Sequence, residues 1–295
     1  MPRVTAARAI PAAEYAILAG SGASGKGSPE VEEGVEVLAP PAAISTPFGP
    51  SPPLSLLRYS VRDREPRTFL YVRRSLPAGG PGPGVETQEA TLALFWALER
   101  AGVTRILAES GAASITQHFH PRDLVVPHDF IDFTPQVGGR LQPGAALLMR
   151  DPFCPEIRDC LWQRSRQFAA EKATRAFNRA VHIGVEGPRY ETASEVAALT
   201  RMGGDVISHT VTPDVYLARE IGACFAAVAM VLNYAEGVRP EWDFELLRAI
   251  IREGAEELGR VVLDALMALP DQRGCACASY HQLEVPVEAR AAGSA

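Results

Sequence analysis

Short apolar runs typical of buried strands alternate with amphipathic helical patterns along most of the chain, and this alternation limits the fold more than any other feature. The strand-like runs lie at residues 15–19, 54–59, 68–72, 105–109, 123–127, 182–185, 205–208 and 225–232. The helical patterns lie at residues 89–101, 159–177, 193–202, 214–221 and 243–269. Such alternation predicts an α/β fold with a largely parallel sheet that helices cover.

The helices and strands belong to one predicted domain. No break in composition divides the 295 residues, of which 47% are hydrophobic, and a chain of this length can bury a substantial core. We expect the domain to span residues 12–270, with flexible tails at residues 1–11 and 271–295. Residues 76–84 are mostly glycine and proline, which predicts a flexible loop that closes only over bound ligand.

Charge, hydropathy and cysteine content exclude several classes of protein. The 35 acidic residues outnumber the 29 basic ones, so no overall positive field attracts nucleic acid. No apolar run approaches the roughly 20 residues that cross a bilayer, so neither secretion nor membrane insertion is expected. The five cysteines are odd in number and form no CxxC pair, which indicates a reduced, cytoplasmic protein without a disulfide framework or a zinc site.

Small residues follow two of the predicted strands. Gly20-Ser21-Gly22 follows the first, and residues 110–114 (SGAAS) follow the strand at 105–109. Turns at the carboxyl ends of strands in open α/β sheets expose backbone N–H groups that suit an anion, although such a turn alone is more often a tight connection without a ligand. The first turn also matches GxGxxG and most of a P-loop, but the long helix that both motifs require is missing.

Three further segments carry side chains that could bind a ligand. Arg73 and Arg74 could hold an oxyanion with bidentate geometry or be a solvated pair of charges. Thr192 and Glu195 have the spacing of a capping box. That leaves Tyr190 and Glu191 to stack on a planar ligand and accept its N–H, unless they are merely exposed by the turn. An asparagine at the end of the strand at 225–232 could meet a heterocycle or only shape the turn.

In order, these segments resemble the trimeric purine nucleoside phosphorylases, and most closely their methylthioadenosine/methylthioinosine phosphorylase branch. The resemblance runs collinearly from about residue 15 to residue 269. The matching pieces are residues 17–22 (ILAGSG), 46–51 (TPFGPS), 69–73 (FLYVR), 94–98 (LFWAL), 102–108 (GVTRILA), 121–127 (PRDLVVP), 129–132 (DFID), 186–192 (EGPRYET), 210–220 (TVTPDVYLARE) and 233–237 (NYAEG).

The resemblance implies a fold and an activity. The fold would be a single α/β domain whose central twisted, mixed sheet forms a distorted partial barrel flanked by helices, and the chain would assemble as a homotrimer. The activity would be phosphorolysis, in which inorganic phosphate attacks C1′ of a purine nucleoside and releases the free base. Phosphate is the co-substrate, and no metal or other cofactor is expected. Such a site needs an anion cradle and a hydrogen-bond partner for the departing base.

The family's functional positions carry over to particular residues of this chain. Those that would bind phosphate are Ser21, Arg73, Ser110, Gly111, Ala112 and Thr210, and Arg74 is added here as a second guanidinium. Those that would bind the nucleoside are Tyr190, Glu191, His209 and Asn233, with Asp243 expected near the 5′ position. Glu191 and Asn233 are the predicted catalytic residues, because they would meet the base as it leaves.

Three departures from the family pattern bear on substrate and turnover. The family follows its arginine with histidine, whereas Arg74 stands here; it has a methionine where this chain has His209; and its small-residue turn is altered at residues 111–115. The combination of Glu191 with Asn233 favours 6-oxopurines such as inosine or 5′-methylthioinosine. The alternatives are a methylthioadenosine phosphorylase, a non-catalytic nucleoside-binding homologue, and transfer of the glycosyl group to another acceptor.

Overall fold

The computed structural model describes residues 10–20, 32–73, 87–134, 141, 147–187, 189–239 and 243–280. Within them, an eleven-stranded mixed sheet is flanked by α-helices, and two short strands form a separate hairpin. The strands are β1 (Tyr15–Ala19), β2 (Val35–Ala42), β3 (Ser45–Thr46), β4 (Gly49–Pro50), β5 (Leu54–Tyr59), β6 (Arg67–Arg73), β7 (Arg105–Ser114), β8 (Leu124–Val125), β9 (Asp129–Asp132), β10 (Ala176–Phe177), β11 (Val181–Gly184), β12 (Val206–Ser208) and β13 (Cys224–Tyr234). The helices are α1 (Gln88–Arg100), α2 (Pro155–Lys172), α3 (Ala193–Arg201), α4 (Asp214–Glu220) and α5 (Phe244–Ala268).

Four parallel strands form the middle of the sheet, in the order β13-β7-β1-β6. Antiparallel partners extend both sides: β5 and then β2 beyond β6, and β8 beside β13. Strand β12 pairs antiparallel with β7. Strand β11 pairs parallel with β12, and β9 pairs parallel with β11. Because the four central strands are parallel, their carboxyl ends meet at one edge, where open α/β sheets bind ligands.

The central strands are apolar because both faces of the sheet are covered. Every residue of β1 is buried, and β13 is buried from Cys224 to Val231. Helices α2 and α5 pack on β13 and on each other, which accounts for the long apolar stripe of α5. The predicted α/β single-domain fold is therefore confirmed, and its sheet is mixed, as the resemblance implied, rather than largely parallel as the alternation suggested.

The prediction of a turn at residues 110–114 is wrong, because β7 continues through them to Ser114. Two neighbours hold this extension in the sheet: β13 pairs with it as far as Tyr234, and β12 pairs with its last two residues. Strand β2, which the sequence did not indicate, contains Pro40 and Pro41. Among the described strands it pairs only with β5, and an edge strand tolerates proline because one side of its backbone needs no partner.

The helix expected at residues 159–177 starts earlier and ends at Lys172. Pro155 occupies the first helical position, and Ala173 adopts a left-handed conformation with φ of 53°, which stops the helix. Residues 176–177 then form β10. No helix in the described part of the chain is both long enough and apolar enough to span a membrane.

Residues 271–280, which the sequence assigned to a flexible tail, are attached to the domain. Buried Arg105 donates a hydrogen bond to the carbonyl oxygen of Asp271 at 2.8 Å. The backbone N–H of Leu148 donates to the carbonyl oxygen of Tyr280 at 3.3 Å. These contacts hold the segment beneath the amino ends of the central strands.

Candidate functional site

Two of the predicted phosphate-binding residues, Arg73 and Ser110, lie at the carboxyl edge of the sheet, as does Gly20, which precedes the predicted Ser21. Arg73 ends β6 opposite Ala19, Gly20 follows β1, and Ser110 lies in the upper half of β7. A side chain at Gly20 would not fit, because a Cβ there would lie 2.8 Å from the carbonyl oxygen of Glu109. The glycine therefore lets β1 end directly against β7.

Hydroxyl groups from two strands meet beside Ser110. The Ser110 and Thr210 hydroxyl oxygens are 2.7 Å apart, and the Ser208 hydroxyl lies 3.4 Å from that of Ser110. Ser208 also accepts a hydrogen bond from the Thr210 N–H at 3.2 Å and donates one to the Thr210 carbonyl at 3.1 Å. Val211 follows with φ of 76°, an uncommon conformation for a β-branched residue that tends to occur at functional sites.

A buried histidine contacts this hydroxyl cluster through Ser208. His182 lies on β11 with Nε2 2.8 Å from the Ser208 hydroxyl oxygen. Complete burial lowers its pKa to about 3, so its ring is neutral at physiological pH. No motif in the sequence marks His182, and the pairing of β11 with β12 is what brings it to Ser208.

A buried carboxyl group lies next to the same cluster. Burial raises the pKa of Glu109 to about 8, against the hydrogen bond from the Gly20 N–H and the positive charge of Arg73, which lower it. Its Oε2 has no hydrogen-bond partner among the described residues. Glu109 belongs to no motif in the sequence, although an acid at the end of an apolar strand is a usable signal of a functional residue.

The predicted nucleoside-binding residues form a second group. The rings of Tyr190 and His209 have centroids 6.5 Å apart, with an angle of 31° between their planes. The Nε2 of His209 is 3.8 Å from Oε1 of Glu191, and these two side chains are only 12% and 11% exposed. Tyr190 is 55% exposed. The capping box that positions this segment at the start of α3 is confirmed, with both of its hydrogen bonds formed between Thr192 and Glu195.

Asn233 is positioned by an irregularity in β13. The register against β7 shifts between Val231 and Asn233, so one extra residue, Leu232, bulges out. Gly111 on β7 makes room for it, because a Cβ there would lie 2.5 Å from Leu232 Cδ1. The Asn233 amide nitrogen donates to the Tyr234 carbonyl at 2.7 Å. An amide carries two N–H donors, so one remains for a ligand.

The structure shows no ligand-facing role for the remaining predicted residues that it describes, Ala112 and Asp243. Ala112 is buried within β7. Asp243 caps helix α5, since its Oδ1 accepts a hydrogen bond from the Leu246 N–H at 2.9 Å. Ser21, Arg74 and the loop at residues 76–84 lie outside the described residues. The candidate phosphate-binding residues adjoin the candidate nucleoside-binding residues at His209 and Thr210, which are consecutive in the sequence.

Comparisons with known proteins identify the family and the fold of the chain. The sequence profile described as "Phosphorylase superfamily" matches residues 16–267. The 6-oxopurine nucleoside phosphorylase of Pyrococcus furiosus is 33% identical over 62% of this chain and 72% of its own length. The probable S-methyl-5′-thioinosine phosphorylase of Thermodesulfovibrio yellowstonii is 29% identical over 86% of this chain and 92% of its own length.

One solved structure shows the same fold over nearly the whole chain. It is a methylthioadenosine phosphorylase from an Antarctic soil metagenomic library, with a TM-score of 0.71, 23% identity and coverage of 94% of both chains. At that identity the likeness concerns the fold alone.

Proposed function

Because the chain belongs to the phosphorylase superfamily, we propose that it is a purine nucleoside phosphorylase that acts on a 6-oxopurine nucleoside, either inosine or 5′-methylthioinosine. The observation that carries the proposal is the junction at residues 209–210. There the hydroxyl cluster around Ser110 and Thr210 adjoins the group formed by Tyr190, Glu191 and His209. An anion and a purine bound on the two sides of this junction would face each other across a ribose.

The phosphate end of the proposed site consists of hydroxyl donors and a cation. Ser110 and Thr210 share a hydrogen bond in the structure, and each hydroxyl proton can rotate toward a phosphate oxygen. Arg73 supplies positive charge from the end of β6, and Ser21, Arg74 and the backbone at Gly111 and Ala112 complete the predicted set. Ser208 and the neutral His182 hold the hydroxyl cluster in place.

The base end of the proposed site recognises a 6-oxopurine edge. Glu191 accepts the N1–H of the base, and the second N–H of Asn233 donates to O6 or N7. A phosphate oxygen attacks C1′ as the C1′–N9 bond breaks, the electron pair of that bond moves into the purine, and the proton carried by phosphate ends on the base. Asn233 stabilises the charge that develops at N7. Tyr190 covers the base and sugar, and His209 lies beneath the ribose.

A second candidate is a nucleoside-binding homologue that does not turn over. The observation that favours it is Arg74, which stands where the resembled family has a histidine. Such a homologue would use both sets of binding residues, but it would release no free base or sugar phosphate.

A single assay tests these functions. The protein is incubated with inosine, 5′-methylthioinosine and 5′-methylthioadenosine, with and without phosphate, and the free base and sugar phosphate are measured. We expect phosphate-dependent release of hypoxanthine. Binding without product supports the second candidate, release that is independent of phosphate indicates transfer to water, and a clear preference for methylthioadenosine contradicts the base assignment. Ser110→Ala should be impaired, whereas Ser60→Ala, at an exposed serine, should not.

The proposal extends to assembly and location. We expect a cytoplasmic homotrimer, as in the family that the sequence resembles. Light scattering coupled to size exclusion tests the first part, and a mass other than that of three chains contradicts it.

A further inference from the structure

Four of the five cysteines form one compact cluster. The Sγ atoms of Cys154, Cys224, Cys275 and Cys277 all lie within 4.8 Å of one another. Three of these residues are buried and Cys275 is half-buried, and the Sγ atoms of Cys224 and Cys275 are 3.4 Å apart. The sequence indicated no zinc site because no two of them form a CxxC pair.

The cluster lies far from the proposed active site. Cys154 directly precedes α2, Cys224 begins β13, and Cys275 and Cys277 belong to the segment that follows α5. Asn233 is nine residues farther along β13, which places it about 30 Å from Cys224 at the rise of an extended strand. The thiols are thus at the amino ends of the central strands, on the opposite edge from the hydroxyl cluster.

The dimensions of the cluster match a tetrahedral metal site. Four sulfurs that each lie about 2.3 Å from a zinc ion are about 3.8 Å from one another. The observed separations, 3.4 Å for one pair and at most 4.8 Å for any pair, bracket that value. The 3.4 Å separation is well beyond the roughly 2.0 Å of a disulfide bond. Zinc favours four soft thiolate ligands in a closed tetrahedron.

The surroundings suit a negatively charged metal–thiolate group. The Arg273 guanidinium donates a hydrogen bond to the carbonyl oxygen of Gly222 at 3.3 Å, two residues before Cys224, and brings a positive charge to the cluster. Gly274 donates its backbone N–H to Glu156 Oε1 at 2.6 Å, which fixes the chain between Arg273 and Cys275. Contacts of this kind hold the ligands in place and partly offset the charge of four thiolates.

We propose that Cys154, Cys224, Cys275 and Cys277 bind one structural Zn²⁺ ion, which attaches residues 271–280 to the body of the domain. The proposal does not depend on the proposed enzymatic activity. Zinc displaces the four thiol protons, which are released to solvent, and no oxidation is involved. Because the ligands come together only in the folded chain, the free energy of binding stabilises that fold.

The first test is the metal content of the protein. After purification without chelators and under reducing conditions, elemental analysis should find about one zinc ion per chain. Cys277→Ser should lower the zinc content about tenfold, because three thiolates bind the ion far more weakly. The matched control is Cys160→Ser, which changes the one cysteine outside the cluster and should retain the zinc. Protein that holds no zinc, even after incubation with zinc chloride, overturns the proposal.

Two measurements on the unaltered protein cover the case in which the variant does not fold. Cobalt chloride added to the zinc-free protein should give the visible absorption bands of tetrahedral thiolate coordination. Thiol titration should find only Cys160 reactive when zinc is present and additional cysteines reactive after the zinc is removed. Loss of two or four mass units under non-reducing conditions, with reversal by a reductant, would reveal disulfides instead and overturn the proposal.

Discussion

The two edges of the central sheet carry different chemistry on the same strand. At the carboxyl end of β13, Asn233 pairs with Ala113 in the part of β7 that follows Ser110, whereas at its amino end Cys224 lies among thiols. At the first edge, strand ends bring together hydroxyl, amide and charged side chains that can bind a ligand. At the second edge, the start of α2, the start of β13 and the segment after α5 bring the four thiols together. One sheet thus carries the proposed reaction site at one edge and the proposed stabilising metal site at the other.

The largest expected effect is at the carboxyl edge, at Asn233. Its replacement by alanine should lower kcat/KM about 100-fold to 1,000-fold, because the donor that stabilises the departing base is lost. Zinc content and melting temperature should change little, since Asn233 is half-buried. Steady-state kinetics measure kcat/KM, elemental analysis measures the zinc content, and calorimetry measures the melting temperature.

Asn233→Asp is the matched variant. It should shift the ratio of kcat/KM values toward 6-aminopurine nucleosides, because a carboxylate accepts a hydrogen bond from the amino group where the amide donated one. An unchanged ratio would mean that Asn233 does not contact the base edge.

How well each edge could be predicted from the sequence follows from where its residues lie along the chain. Tyr190 and Glu191 precede a capping box, so a local motif drew attention to them. Glu109 and His182 carried no motif, because their burial and partners depend on strand pairing. The thiol cluster was missed for the same reason: Cys154 and Cys277 are far apart in sequence and become neighbours only through packing.

A smaller effect is expected from the hydroxyl cluster. Thr210→Val keeps the shape of the side chain but removes one hydrogen bond to phosphate, and a hydrogen bond to a charged group contributes about 1.5–3 kcal/mol. The KM for phosphate should rise about tenfold to 100-fold. Thr200→Val is the control, since the Thr200 hydroxyl bonds only to backbone carbonyls of Ile115 and Val196 among the described residues. Equal KM values for phosphate in the two variants would remove Thr210 from the phosphate site.

The predicted arginine pair gives a related test from the sequence. Arg74→Ala should raise the KM for phosphate about tenfold if both guanidinium groups hold the anion. The KM for the nucleoside should remain close to that of the unaltered enzyme. An unchanged KM for phosphate would assign Arg74 to the solvated surface and leave Arg73 as the single cation from that segment.

The smallest effect on turnover, but a distinct effect on stability, is expected at Glu109. Its pKa is about 8 in the folded protein and 4.5 without the fold, so between these pH values the folded state binds more protons than the unfolded state. The free energy of unfolding therefore falls as pH rises through this window, by up to about 1.4 kcal/mol per pH unit, and this contribution levels off above pH 8.

Glu109→Gln keeps the size and polarity of the side chain but removes the titration, so it tests this assignment directly. The variant should lose that pH slope and gain stability over the unaltered protein as pH rises from 6 to 8. Denaturant unfolding at several pH values measures the difference, with Glu65→Gln as the exposed control. Parallel pH profiles for the protein and Glu109→Gln would show that Glu109 is ionised throughout. In that case the positive charge of Arg73 would be offset by this carboxylate rather than available to phosphate, which would weaken the assignment of an anion site to the carboxyl edge.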